Sequence, residues 1–241
     1  MLFFAFLGGI LAGFLNVMAG GGSMITLPIL TALGLSIDVA NGTNRIAIIL
    51  QNLVAIERFK AKKMLKMNEA FLVSIPAIGG ALLGSSIAVQ INKDLLQKIV
   101  GVIFLIMAIS LIWKPRIWVE DRETKRNWML IYIAFFLIGV YGGFIQAGVG
   151  FLLMPAITLL LGYELVKTNA IKVFIVASYN LIALVIFILN GKVNFLYGFV
   201  LALGNMTGAW LAANLSIKKG SEWVRWIVFI AIVIAGIKYI F

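Results

Sequence analysis

The sequence predicts an all-α polytopic membrane protein of two inverted repeats, with Gly/Pro-interrupted short helices and about 8–10 membrane segments. Three observations predict it. The 241 residues are 63% hydrophobic and 12% charged, with a mean hydropathy of +1.09, far from the roughly 25% charged composition of soluble domains. Apolar runs of about 17–25 residues, the length that crosses a bilayer core, recur from end to end. The pattern also restarts after its midpoint. A shift of 127 places Gly21 on Gly148, Pro28 on Pro155 and Arg45 on Lys172, and a shift of 128 places Gly80 on Gly208, Ala81 on Ala209 and Asp94 on Glu222. A Gly-rich break, a proline, a cation and a small-residue helix in the same order mark an internal repeat.

The elements follow in order. Residues 2–18 read as a helix with Ala5, Gly9 and Gly13 on one close-packing face. The opening Met1-Leu-Phe-Phe lacks the basic region of a cleavable signal, so this helix is expected to be retained. After the Gly20–Ser23 break, Met24–Gly34 is too short for a comfortable span, and Asn41–Arg45 opens a helix running to about Glu57. Next come a basic loop of Arg58, Lys60, Lys62, Lys63 and Lys66, a helix from about Ala70 to Gln90, a turn at Asn92–Asp94 and a helix to Trp113. Residues 114–127 form a charged linker, which divides a first transmembrane repeat, 1–113, from a second, 128–241. The ladder Ala77, Gly80, Ala81, Gly84, Ser85 and Ala88, answered by Gly204, Gly208 and Ala212, reads as tightly packed helix surface. Trp113, Trp118, Trp128, Trp223 and Trp226 read as an interfacial belt.

Orientation comes from Lys and Arg. The loops at 58–66 and 114–126 carry five each, and the 218–225 region three, against isolated Lys93, Lys98, Lys192 and Lys238. The rich loops are expected in the cytoplasm, in a multi-pass protein of the cell (inner/plasma) membrane. Equivalent loops of the two halves then fall on opposite sides, which requires an odd number of crossings per half. Five segments per half satisfy this if each short Gly/Pro piece crosses. The rival is four spans and a re-entrant hairpin, which makes the repeats parallel.

Composition also excludes. With no Cys and no His, thiol chemistry, haem ligation and His-based catalysis are ruled out, and no cofactor or metal is expected. The net charge of +11 is explained by the positive-inside loops, so no nucleic-acid partner is expected. The expected partners are the lipid bilayer and a small anion, and a homo-oligomer stays open. An enzyme is not expected, since Ser23 and Ser178 have no attending base.

The candidate site is the pair of breaks. Backbone that leaves helical geometry in hydrocarbon must be buried in protein or face water, and interrupted segments at equivalent places in two repeats point to a transporter's midplane site. Gly20, Gly21, Gly22, Ser23, Gly148 and Gly150 let a solute approach backbone N–H groups. Arg45 and Lys172 are read as first-turn cations, unfavourable at a helix N-terminus without an anion. Thr43, Asn44, Gln51 and Asn52 in one half, and Thr168, Asn169 and Asn180 in the other, supply donors to it. Asn16 and Gln146 precede the breaks and fall beside the same cavity. The competing readings are glycine kinks used only for packing, and cations snorkelling to the interface.

Gly20–Ser23, Pro28 and Asn41-Gly-Thr-Asn-Arg45, with the echo at Ala147-Gly-Val-Gly150, Pro155 and Thr168-Asn169, resemble the sulfite exporter TauE/SafE family of membrane permeases across essentially the whole chain. One departure is Asn44 followed by Arg45, where members commonly carry a small hydroxyl residue after Gly-Thr. The resemblance implies an inner-membrane permease of two repeats for sulfite, sulfonates or other small organic anions, typically outward. The expected function is therefore a secondary transporter of a small anion by alternating access, with a passive anion channel as the alternative.

Overall fold

The computed structural model describes residues 2–90, 124 and 126–240, and every element among them is an α-helix. The first half holds α1 (Leu2–Met18), α2 (Ser23–Ala32), α3 (Ile37–Ala61) and α4 (Met67–Gln90). The second holds α5 (Trp128–Phe144), α6 (Val149–Leu161), α7 (Leu165–Leu189) and α8 (Phe195–Ile240), the last broken at Gly220 with φ 78°. The expected helix to Trp113 and most of the 114–127 linker lie outside the described residues, as do Lys93, Asp94, Lys98, Trp113 and Trp118. The side chains of Glu222, Arg225, Trp226 and Lys238 also lie outside them.

The repeat is carried into the helices. α1 and α5 are each 17 residues long, α3 and α7 each 25, and α2 and α6 are short pieces of 10 and 13 residues containing Pro28 and Pro155. Three stretches, Met67–Gln90, Leu165–Leu189 and Phe195–Gly220, are long and apolar enough to cross a bilayer. Large apolar side chains such as Phe3, Phe4, Met129 and Leu189 stand exposed on the outside, far more than a soluble monomer leaves in water. Trp128 is exposed among them, whereas Trp223 packs against the interior.

Helices pair across the halves. α1 lies along α8, with Gly9 against Leu201 and Gly13 against Asn205, so the two run parallel. α5 lies along α4 in the same way, with Gly80 against Phe136 and Gly84 against Val140. Both interfaces use the small-residue ladders, where a backbone carbonyl occupies the space a side chain would need. α3 runs parallel to α8, since Ile46 meets Gly198 and Gln51 meets Asn205. α3 and α7 are antiparallel: Arg45 reaches Asn180 while Gly42, earlier in α3, meets Phe187, later in α7. α2 folds back along α1, with Gly22 against Ala12 and Ile29 against Gly8. Each half thus begins with a helical hairpin, and the two hairpin tips touch at Gly20 and Gly150.

One boundary differs from the sequence reading. α3 begins at Ile37, so Arg45 stands two turns inside the helix, and Lys172 stands two turns inside α7. The polar run Asn41-Gly-Thr-Asn resembles a helix start, but it is buried against protein, with Gly42 closed over by the Lys192 carbonyl and Phe187.

Candidate functional site

Each hairpin holds its shape through a cation from the other half. Lys172 of α7, 2% exposed, donates to Asn16 O at 3.1 Å, Val17 O at 2.7 Å and Asn169 Oδ1 at 2.8 Å, and Asn169 Nδ2 donates to Met18 O. These carbonyls are the last three of α1. At the end of α5 the arrangement repeats. Arg45 donates to Gly142 O at 3.3 Å, to Gly143 O and to Asn180 Oδ1 at 2.8 Å, while Asn41 Nδ2 donates to Phe144 O at 2.8 Å. Arg45 also stacks on the Phe187 ring at 4.7 Å. A helix leaves its last carbonyls unpaired and carries partial negative charge there. The expected negative partner of both cations is therefore met inside the protein by helix C-termini. Lys172 has three donors and all three are engaged, leaving none for a solute.

Between the tips lies a small cavity of about 20 Å³, room for a water molecule. Asn16, Gly20, Ser23, Ile48, Gln51 and Asn52 line it from the first half. Gln146, Val149, Gly150, Lys172 and Val176 line it from the second. α2 starts at Ser23 and α6 at Val149, so the N-terminal ends of both short helices abut the cavity.

The expected site residues divide accordingly. Gly20, Ser23, Gln51, Asn52, Gln146, Gly150 and Lys172 reach the cavity, together with Asn16. Gly22 and Asn44 stand one step behind, the Gly22 N–H donating to Asn16 at 2.8 Å and Asn44 donating to Ser23 Oγ at 3.1 Å. Gly21 lies against the Phe151 ring, and Gly148 caps α6 in the left-handed region. Arg45, Asn169 and Asn180 belong to the clamps. Thr43 accepts from the Asn194 N–H at 2.8 Å, and Thr168 meets Thr158 Oγ1 at 3.1 Å, both toward helix ends.

Sequence reasoning missed Asn205, fully buried on α8, which donates to Gln51 Oε1 at 2.9 Å and orients it. Its only signal is a polar residue set among Gly204 and Gly208, and comparison of the halves hides it, because a shift of 128 puts it on Ala77. The apolar lining Ile48, Val149 and Val176 carries no local signal at all.

Two ion pairs stand at opposite ends. Lys192 holds Asp38 at 2.7 Å beside the start of α3. At the other end Arg126 holds Glu69 at 3.2 Å and also donates to the Tyr163 hydroxyl. Burial pushes the Tyr163 phenol up to about 12, so it stays protonated.

Comparison with known proteins agrees with this architecture. The chain is 28% identical over 242 residues to the probable membrane transporter protein YfcA of Escherichia coli K12, covering 100% of this chain and 89% of that protein. It is 29% identical over 219 residues to a probable membrane transporter protein of Haemophilus influenzae, covering 90% and 86%. Over 241 residues it is 26% identical to the probable membrane transporter protein ORF9 of a Sinorhizobium species, covering 99% and 92%. No solved structure is a significant match. The model of the sulfite exporter TauE/SafE family matches residues 5–239, and with paired hairpins, repeated helices and an apolar exterior the chain belongs to that family of membrane transporters.

Proposed function

We propose that the chain is a secondary transporter moving a small anion, such as sulfite, an organosulfonate or a small organic acid, outward across the cell membrane by alternating access. The observation that carries this is the convergence on one cavity of two short-helix N-termini, one hairpin from each half. Helix N-termini favour negative charge. The antiparallel run of α3 and α7, which are equivalent helices, supports inverted repeats in the membrane. A cavity of about 20 Å³ admits no oxyanion as it stands, so the touching tips at Gly20 and Gly150 must part for solute to enter. That closure favours a carrier over an open anion pore.

Among the described residues no carboxylate lines the cavity, and the chain has no His, so these residues offer no proton relay. An anion leaving a cell that is negative inside gains about 2.3 kcal/mol per charge per 100 mV, so export runs on the membrane potential. The test is solute-evoked charge movement in proteoliposomes with sulfite, sulfate, sulfoacetate, taurine and small carboxylates. The expected result is a saturable signal for one anion class that Asn52→Leu abolishes in a folded protein. Large unitary currents reject the carrier, and silence toward every anion rejects the reading as a whole.

A further inference from the structure

Gln146 stands where the other hairpin has a glycine. Both hairpins place a left-handed residue two positions past their first helix, Gly20 at φ 83° and Gln146 at φ 64°, and the second adds Gly148 at φ 70°. For a residue with a Cβ this conformation costs about 1 kcal/mol or more, and glycine avoids it. A turn needing only its backbone would be better served by glycine. Gln146 is 2% exposed and is one of the residues around the cavity, and neither Oε1 nor Nε2 has a partner among the described residues. Asn52, also 2% exposed and lining the same cavity, leaves Nδ2 unpaired. An unpartnered buried amide is costly, so these atoms require a partner, which water or a solute can supply.

The unpaired set is two amide donors and one carbonyl acceptor. Its complement is a solute with acceptor oxygens and one donor hydrogen of its own. We infer that Gln146, set in a left-handed turn against Asn52, determines solute specificity by selecting small monoanions that carry a hydroxyl donor over equally charged anions without one. Recognition is one-sided, because Gly20 at the equivalent place contributes no side chain. The inference rests on the anion-transport reading above and deepens it.

The test is proteoliposome transport of two matched pairs, glycolate against acetate and isethionate against ethanesulfonate, each differing by one hydroxyl. Wild type is compared with Gln146→Gly, which relaxes the left-handed turn, and with Gln146→Asn, which tolerates it but carries a shorter amide. Wild type is expected to prefer the hydroxylated member about tenfold, the worth of one hydrogen bond. Gln146→Gly is expected to be at least as heat-stable as wild type and to carry both members within about twofold, with Gln146→Asn between the two. The inference is overturned if wild type treats the members alike, if Gln146→Gly keeps the preference, or if Gln146→Gly loses stability, which marks the side chain as structural. Transport of other anions without a hydroxyl preference sinks this inference alone, whereas no transport of any anion sinks the anion reading with it.

Discussion

Asn41 with Arg45, and Asn169 with Lys172, do the same work in the two halves with different cations. Each pair holds the three last carbonyls of the opposite hairpin's first helix. Removing the charge leaves two of those carbonyls buried without a side-chain donor, so Lys172→Met is expected to lower stability by about 2–4 kcal/mol, read as thermal unfolding in detergent. Arg45→Lys keeps the charge but not the fork that reaches two carbonyls and Asn180 together. It is expected to cost about 1–2 kcal/mol in the same assay. An unchanged melting point in either variant contradicts the clamp.

At the scale of elements, the ladders decide how closely helices approach. Gly79 and Gly80 are neighbours on α4, yet a Cβ on Gly79 meets only the Phe136 ring at 3.9 Å, whereas one on Gly80 runs into the Phe136 carbonyl. Gly80→Ala is expected to separate α4 from α5 and cost about 3 kcal/mol, while Gly79→Ala is tolerated or slightly stabilising because alanine is the better helix former. Comparison of the two unfolding curves checks this, and equal effects count against the packing described. The same backbone contact explains why the hairpin tips meet at glycines. A side chain at Gly20 or Gly150 stands in the other tip's backbone.

For the whole molecule, the two ion pairs lie at opposite ends, one joining the two halves and the other holding Arg126 of the linker to the first half. A mechanism that opens the ends alternately must break one pair at a time. Since the chain has no Cys, the double substitutions Asp38→Cys with Lys192→Cys, and Glu69→Cys with Arg126→Cys, give thiol pairs that a reducible bifunctional thiol reagent can bridge across the span of the lost side chains. Each cross-link is expected to reduce transport at least tenfold and reductant to restore it. Transport that continues through both cross-linked forms excludes movement at these ends.

Much of this was legible without coordinates. Composition, the recurring apolar lengths and the restart at Gly148 and Pro155 are local or periodic properties, and they are enough for a helical membrane protein of two repeats with glycine breaks at its centre. The polar residues of the breaks were also identifiable, because nothing else in so apolar a chain tolerates them. What the linear pattern could not assign was their partners. Arg45 and Lys172 look like solute ligands while the ends of α5 and α1 are out of sight, and the hydrogen bond from Lys172 to Asn16 spans 156 residues. Gln146 reads as one amide among several until its left-handed backbone and unpaired atoms set it apart. Local sequence governs which residues form helices and which must be shielded from lipid. Which cation meets which carbonyl, and which amide is left without a partner, is a matter of chain ends brought together in space.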